Sequence, residues 1–291
     1  MALFTVRSER AFAERLGYDL LFKWFLDMNV DDEPFDASSF AKNKERLLEA
    51  DVSRMFFSEV VELAREAGLL SEEHFSVDGT LIEAWASMKS FRPKGEKEED
   101  DPRDGNNWVD FHGEKRSNAT HESKTDPEAQ LARKGKGRES RLCFVAHAMM
   151  ENRHGLCVDV RVTQATGTSE REAAVDMLVP LERAKTLGAD KGYDVADFVG
   201  VVRSFGVTPH VAAKKSRGAV DDRTTRHEGY KVSQRKRKLV EEIFGWMKTV
   251  GNFRRTRYKG LKRTGLCAEI TASAYNLVRL VKLLARSPVA A

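Results

Sequence analysis

Along the first 70 positions, apolar residues recur at helical spacing, and beyond them the pattern changes to short apolar runs and strict alternation. Residues 7–28 (RSERAFAERLGYDLLFKWFLDM) predict a helix with a break near Gly17. Asp36 or Ser38 caps a second helix whose buried side is Phe40, Leu47 and Leu48. A third helix over 52–67 stops at Gly68. Residues 74–83 (HFSVDGTLIE) read as a strand, with a hairpin turn at Asp78-Gly79 as the alternative. Residues 142–150 form a buried strand, His154-Gly155 a turn, and 156–163 an alternating strand. A helix over 169–184 follows, with Ser169 and Glu172 in capping-box spacing. Then come a short strand at 186–190 ending in an acid, a helix at 195–205 and a strand at 208–213. A proline-free helix over 233–250 opens with Ser233 and buries Leu239, Val240, Ile243, Phe244, Trp246, Met247 and Val250. The segment 260–265 links it to a last amphipathic helix at 266–285.

This order predicts an α/β fold, a mixed sheet with helices on its faces. It divides into a small helical N-terminal region at 1–70 and a larger domain at 71–291. A polar stretch at about 91–140, containing EKEEDDPRDGNNW and RKGKGRES, reads as an irregular insertion or mobile loop. The helix, turn and short helix near residue 40, with Ser39, Lys42, Asn43 and Lys44 exposed, fit either a helix-turn-helix for a DNA groove or a plain helical bundle.

Composition changes the picture little and charge changes it more. The 291 residues, 41% hydrophobic and 32% charged, suffice for a sizeable core. There is no apolar run long enough for a membrane span and no secretory pattern at the start. Cys143, Cys157 and Cys267 are scattered without metal-ligand spacing, as expected of reduced thiols in a cytoplasm. Net charge is only +4, yet residues 214–263 hold 17 Lys/Arg against five Asp/Glu. Interleaved with Tyr230, Phe244, Trp246, Phe253 and Tyr258, this block suits a polyanion.

Three acids sit in unusual places. Asp78 interrupts an apolar strand, where an unpaired carboxylate is costly. Asp190 ends a later strand, and sites of open α/β sheets gather at strand ends. Glu241 lies on the polar edge of the 233–250 helix, within ~40° of Arg237 and Lys248. A few acids suffice for Mg²⁺ or Mn²⁺, and two such ions ~4 Å apart serve phosphodiester chemistry. Lys248 then suits a phosphate beyond the scissile one, and Arg237 suits either a phosphate on the near side or the orientation of Glu241. Glu242 and Asp194 are the rivals of Glu241 and Asp190.

At these same residues the chain resembles the bacterial insertion-sequence transposases of the DDE type, the insertion-sequence-five group and its relatives. The resemblance runs through VDGTLIEAWASMKSF (77–91), TDPEAQLARKGKG (125–137), QATGTSERE (164–172) and GADKGYD (188–194). It continues through Arg237, Glu241 and Lys248 in Arg-x₃-Glu-x₆-Lys spacing and TVGNFRRTRYKG (249–260). It implies a ribonuclease-H-like core, with Asp78, Asp190 and Glu241 as catalytic ligands of two Mg²⁺ or Mn²⁺ ions. The activity implied is nicking at element ends followed by strand transfer to target DNA. Double-stranded DNA is the implied partner, contacted by Arg237, Lys248, Lys214, Lys215, Arg254, Arg255 and Arg257, with a homodimer assembled on it and the bacterial nucleoid as the location. Two departures stand out. Gln234 occupies the place of a family tyrosine, and relatives carry several tens of further helical residues before the point matching Met1. The competing readings are a nuclease or resolvase without strand transfer and an N-terminally truncated DNA-binding relic.

Overall fold

A computed structural model of the chain describes residues 1–95, 116–135 and 137–286. It opens with helices α1 (Glu9–Leu16), α2 (Leu20–Phe25), α3 (Ala37–Glu49) and α4 (Val52–Glu66). The break between α1 and α2 falls at Gly17, and Asp19 caps α2 by accepting from the Leu21 and Phe22 amides. Asp36, the first of the two expected caps, begins α3 through the Ser38 amide at 2.7 Å. Gly68 follows α4 in the left-handed region.

The sheet uses β1 (His74–Glu83), β4 (Gln130–Ala132), β5 (Arg141–Glu151), β6 (Cys157–Gln164), β7 (Thr186–Ala189) and β8 (Thr208–Val211). Strands β2 (Phe91–Pro93) and β3 (His121–Ser123) pair separately. The path runs β4-β5-β1-β7-β8, with β6 also paired to β5. β5 lies antiparallel to β1 and β6, whereas β7 and β8 run parallel to β1. A three-strand meander extended by two parallel crossover strands is the ribonuclease-H-like arrangement. Within it Asp78 pairs with Ala148 and Gly79 with His147, so Asp-Gly is strand and not turn.

Helices α5 (Ser169–Leu178) and α6 (Ala196–Ser204) cover one face, where Phe75, Val77, Met149, Met177, Leu187 and Val202 are buried. The other face receives α4, α9 (Val240–Thr249) and α10 (Leu261–Leu284) over Ile82, Ala146, Ala148 and Met150. Phe57, Val60, Val61 and Ala64 make α4 part of that core. Full burial of each large apolar side chain there contributes about 1.5–3 kcal/mol.

Five expected details differ. The helix over 233–250 is two helices, α8 (Glu228–Lys236, preceded by the single turn α7, Asp222–Thr225) and α9, joined by a 3₁₀ turn at Arg237–Leu239. Ser233 does not cap it, because its buried hydroxyl meets Nδ1 of His210 on β8 at 2.6 Å. Helix α5 stops at Leu178 instead of 184, since Pro180 has no amide N–H to continue the helical hydrogen bonds. The Ser169–Glu172 capping box is not formed either. Ser169 lies inside the helix, and its amide donates to Thr166 Oγ1. Finally, α10 begins at Leu261 because Asp126 and Glu128, remote in sequence, accept from the Gly260 and Leu261 amides at its positive end. Of the expected insertion, the described part holds β2, β3 and β4, while the EKEEDDPRDGNNW run lies outside the described residues.

Asn276 fastens α10 to the sheet. Its amide is fully buried, accepts from the Cys157 amide at 2.9 Å and donates to the Cys157 carbonyl at 2.8 Å. Asn276→Ala leaves both β6 backbone groups without partners, and chemical denaturation is expected to show a loss of about 2–4 kcal/mol. A loss below half a kcal/mol would show that water replaces the amide.

Candidate active site

The pairing of β7 with β1 ends at Ser76 and Gly188, and the next backbone partner on that side of β1 is Arg255 at Glu83, so the edge is open from Val77 to Ile82. Asp78 stands on this open side, half-buried, with Oδ1 accepting from the Gly79 amide at 2.8 Å. Asp190 follows β7 directly and starts the 3₁₀ turn Lys191–Tyr193, its Oδ1 taking the Gly192 amide at 2.6 Å. The two acids feel each other. Burial first, and then the charges of Asp190 and Glu170, push the Asp78 carboxyl up to about 6 against the pull of the Gly79 amide and Arg237. Glu170, in the first turn of α5, is thus an acid of the same site, and its own carboxyl is raised by burial and by Asp190.

Gly188 packs tightly against Ser76, with Arg237 in ordinary contact beyond it. A Cβ at Gly188 would stand 2.9 Å from Ser76 Oγ and 3.7 Å from Arg237 Cβ. The Arg237 Nε is buried without a hydrogen-bond partner. Two turns beyond Glu241, Lys248 Nζ donates to Thr80 Oγ1 at 2.6 Å. Burial, then the neighbouring charges of Lys134 and Arg254, lower the Lys248 ammonium. A basic stripe therefore runs from β1 through Lys248 to Lys134 and Arg254.

Glu241 is exposed in the first turn of α9, with no hydrogen bond or ion pair among the described residues. Asp78, Asp190 and Glu170 share an electrostatic neighbourhood that Glu241 does not visibly join. Among the described residues, no three Asp, Glu, His or Cys side chains are assembled as a metal cluster. The donor chemistry still fits a hard divalent cation. Carboxylates gather near enough along the edge of β1 to feel one another's charge, and burial first, then those charges, raise the Asp78 carboxyl, a penalty that a cation would relieve.

The rival acids have other engagements. Asp194 is fully buried and accepts from the amides of Lys214, Ala219 and Val220 at 2.7, 2.6 and 2.9 Å. Burial would raise its carboxyl, but these three amides outweigh burial and lower it. Asp194 thereby ties down the basic loop 214–220, and Lys214 Nζ returns a bond to the Asp194 carbonyl at 2.7 Å. Glu242 pairs with Arg279 at 2.9 Å.

Among the other expected DNA contacts, Lys215, Arg254 and Arg257 are exposed. Arg255 instead donates to the Ala84 and Trp85 carbonyls and lies over the Trp85 ring, which fixes the 253–257 segment against the end of β1. Gln234 turns inward and donates to the His210 carbonyl at 2.5 Å, so it does not face outward as a DNA contact. The residues that the sequence reading missed are Glu170 and Lys134. Both lie in the stretches that carried the resemblance, QATGTSERE and ARKGKG, but neither has a pattern of its own that marks it.

A family model described as "Transposase DDE domain" matches residues 71–277, and one described as "Transposase domain (DUF772)" matches residues 1–46. No protein of curated function matches. Among solved structures, the "Mos1 transposase paired-end complex with left transposon end" is similar at 9% identity and a TM-score of 0.25, covering 84% of this chain and 79% of that one. The first of these models spans well over half of the sequence, and the chain belongs to the DDE-domain transposase family.

Proposed function

We propose that this transposase cuts DNA at the ends of a mobile element and joins the freed 3′-hydroxyl to target DNA, with Asp78, Asp190 and Glu241 holding Mg²⁺ or Mn²⁺. The convergence of Asp78 and Asp190 on the open edge of β1, at the head of a basic stripe, carries this reading. Divalent ions held there supply activation of the attacking oxygen and charge stabilisation of the leaving one. The chain's own groups position the DNA. Arg237, with its unpartnered Nε beside the acids, is suited to a phosphate next to the scissile one. Lys248 and Arg254 follow the backbone beyond it, and Lys214, Lys215 and Arg257 add outlying contacts. Bringing two element ends together calls for two copies on one DNA assembly, in the nucleoid of the cytoplasm. Among the described residues no helix is long and apolar enough to cross a membrane.

The test is a gel assay of linear DNA bearing the inverted repeats that flank the reading frame, with Mg²⁺. Joined products are expected. Nicks without joining would make the protein a nuclease, and mobility shifts without nicks a DNA-binding relic. Lys248→Ala is expected to weaken binding at every sequence and to lower the slope of log K against log salt by about 0.9, one phosphate's share. Fluorescence anisotropy across a salt series measures it, and an unchanged slope removes Lys248 from the interface.

A further inference from the structure

The first turn of α5 approaches β1 at Gly79, next to Asp78. A Cβ on Gly79 would stand 3.0 Å from Glu170 Oε1, 3.1 Å from Glu170 Cγ and 3.2 Å from His147 Nδ1. Only a residue without a side chain gives that carboxylate this place. Asp78 and Gly79 point to opposite faces of the strand. Because β7 pairs no further than Ser76 and Gly188, acids from both faces can meet around the open edge of β1.

We propose that Glu170 is a further cation ligand of the active site, acting with Asp78 and Asp190. This rests on the reading of those two acids as cation ligands. Glu170 keeps much of its surface in solvent although its carboxylate lies against Gly79, so a hydrated ion can reach it from one side. A buried imidazole nitrogen without a partner lies at the same notch, and a buried phenol without one feels the charges of the same acids. Tyr193 is fully buried, its hydroxyl makes no hydrogen bond among the described residues, and the charges that bear on it are those of Glu170, Asp78 and Asp190. His147 is also fully buried. Its Nε2 meets Thr163 Oγ1 at 2.7 Å, and that hydroxyl donates onward to the Gln164 carbonyl. Nε2 is therefore the donor, and the partnerless Nδ1 keeps its lone pair toward the Gly79 notch. Buried polar groups without partners in a native fold mark a place for water or an ion. A phenol and an imidazole lone pair are groups that the water shell of a divalent cation can bond.

The structural alternative is that Glu170 only favours the positive end of α5. Glu172→Gln removes the same charge from the same helical turn and serves as its control. Mn²⁺ binding to the full chain, by calorimetric titration without DNA, is expected to weaken at least about tenfold in Glu170→Gln and to stay at the wild-type value in Glu172→Gln. The metal-free melting temperature of Glu170→Gln is expected at or above wild type, because a like charge has been removed. Wild-type Mn²⁺ affinity in Glu170→Gln, alongside lost affinity in Asp190→Asn, would overturn the role of Glu170 alone. A wild-type protein that binds no Mn²⁺ would overturn the cation-site reading beneath it.

Discussion

Asp78→Asn is expected to lower cleavage of element ends by about three decades or more while the protein stays folded and still binds DNA. Loss of several kcal/mol of charge stabilisation in the transition state converts to rate at about 1.4 kcal/mol per decade. Asn keeps an oxygen for the Gly79 amide, so the local backbone bond at 2.8 Å has a replacement. Stability supplies the control. The folded carboxyl is raised to about 6, above its ordinary value of 3.8, so at neutral pH its charge works against folding. That penalty fades as pH falls through about 6 and is gone only below the ordinary value of 3.8, where the folded and unfolded forms are both protonated. Asn lacks the charge, so metal-free Asp78→Asn is expected to be more stable than wild type at pH 7–8 by about 1–3 kcal/mol, and equally stable near about pH 3. An inactive variant that is also less stable at pH 7.5 would mean misfolding. An active one would remove Asp78 from the chemistry.

Strand order and helix positions were readable because alternation and periodicity are local signals. β5 and β6 read as buried and alternating runs, and both formed near their expected bounds. What stayed hidden depends on partners far along the chain. The start of α10 needs Asp126 and Glu128, more than 130 residues earlier. Ser233 looks like a cap until β8 brings His210 to it. The 3₁₀ turn at Arg237–Leu239 interrupts a stretch whose apolar spacing is uniformly helical, and no proline or glycine announces it. Pro180 was a local signal that the longer α5 reading passed over.

The site was readable to a similar depth. Asp78 stood out because a charge inside an apolar strand needs a reason, and Asp190 because it ends a strand. Their proximity follows from parallel pairing of β1 with β7, which a linear reading can only assume. Glu170 offered no such contrast, since an acid in the first turn of a helix is ordinary. Its significance comes from Gly79, whose missing side chain has meaning only once α5 is seen against it. Asp194 shows the converse. Four residues from Asp190 and equally acidic, it is excluded by three backbone amides that no spacing rule foretells.

The third acid is decided by Glu241→Gln and Glu242→Gln together. Cleavage is expected to fall by about three decades in the first and to stay within about threefold of wild type in the second. Two anchors bracket Glu241. Arg237 packs beside Gly188, which pairs with Ser76, and Lys248 reaches Thr80. Glu241 lies about 6 Å along the helix from Arg237. Asp78 lies about 7 Å along the strand from Ser76. A helix held at those two points therefore carries residue 241 level with Asp78. Neighbouring helical positions differ by about 100°, which turns Glu242 toward α10, where it pairs with Arg279. That pair is half exposed on the Glu242 side and contributes at most about 1 kcal/mol, too little for its loss to disturb the fold. Side chains of Glu reach several ångströms, so closure onto DNA and a cation needs only a rotamer change in Glu241, whereas Glu242 would have to cross the helix. Full cutting by Glu241→Gln with none by Glu242→Gln would reverse the assignment and require α9 to rotate by most of a third of a turn.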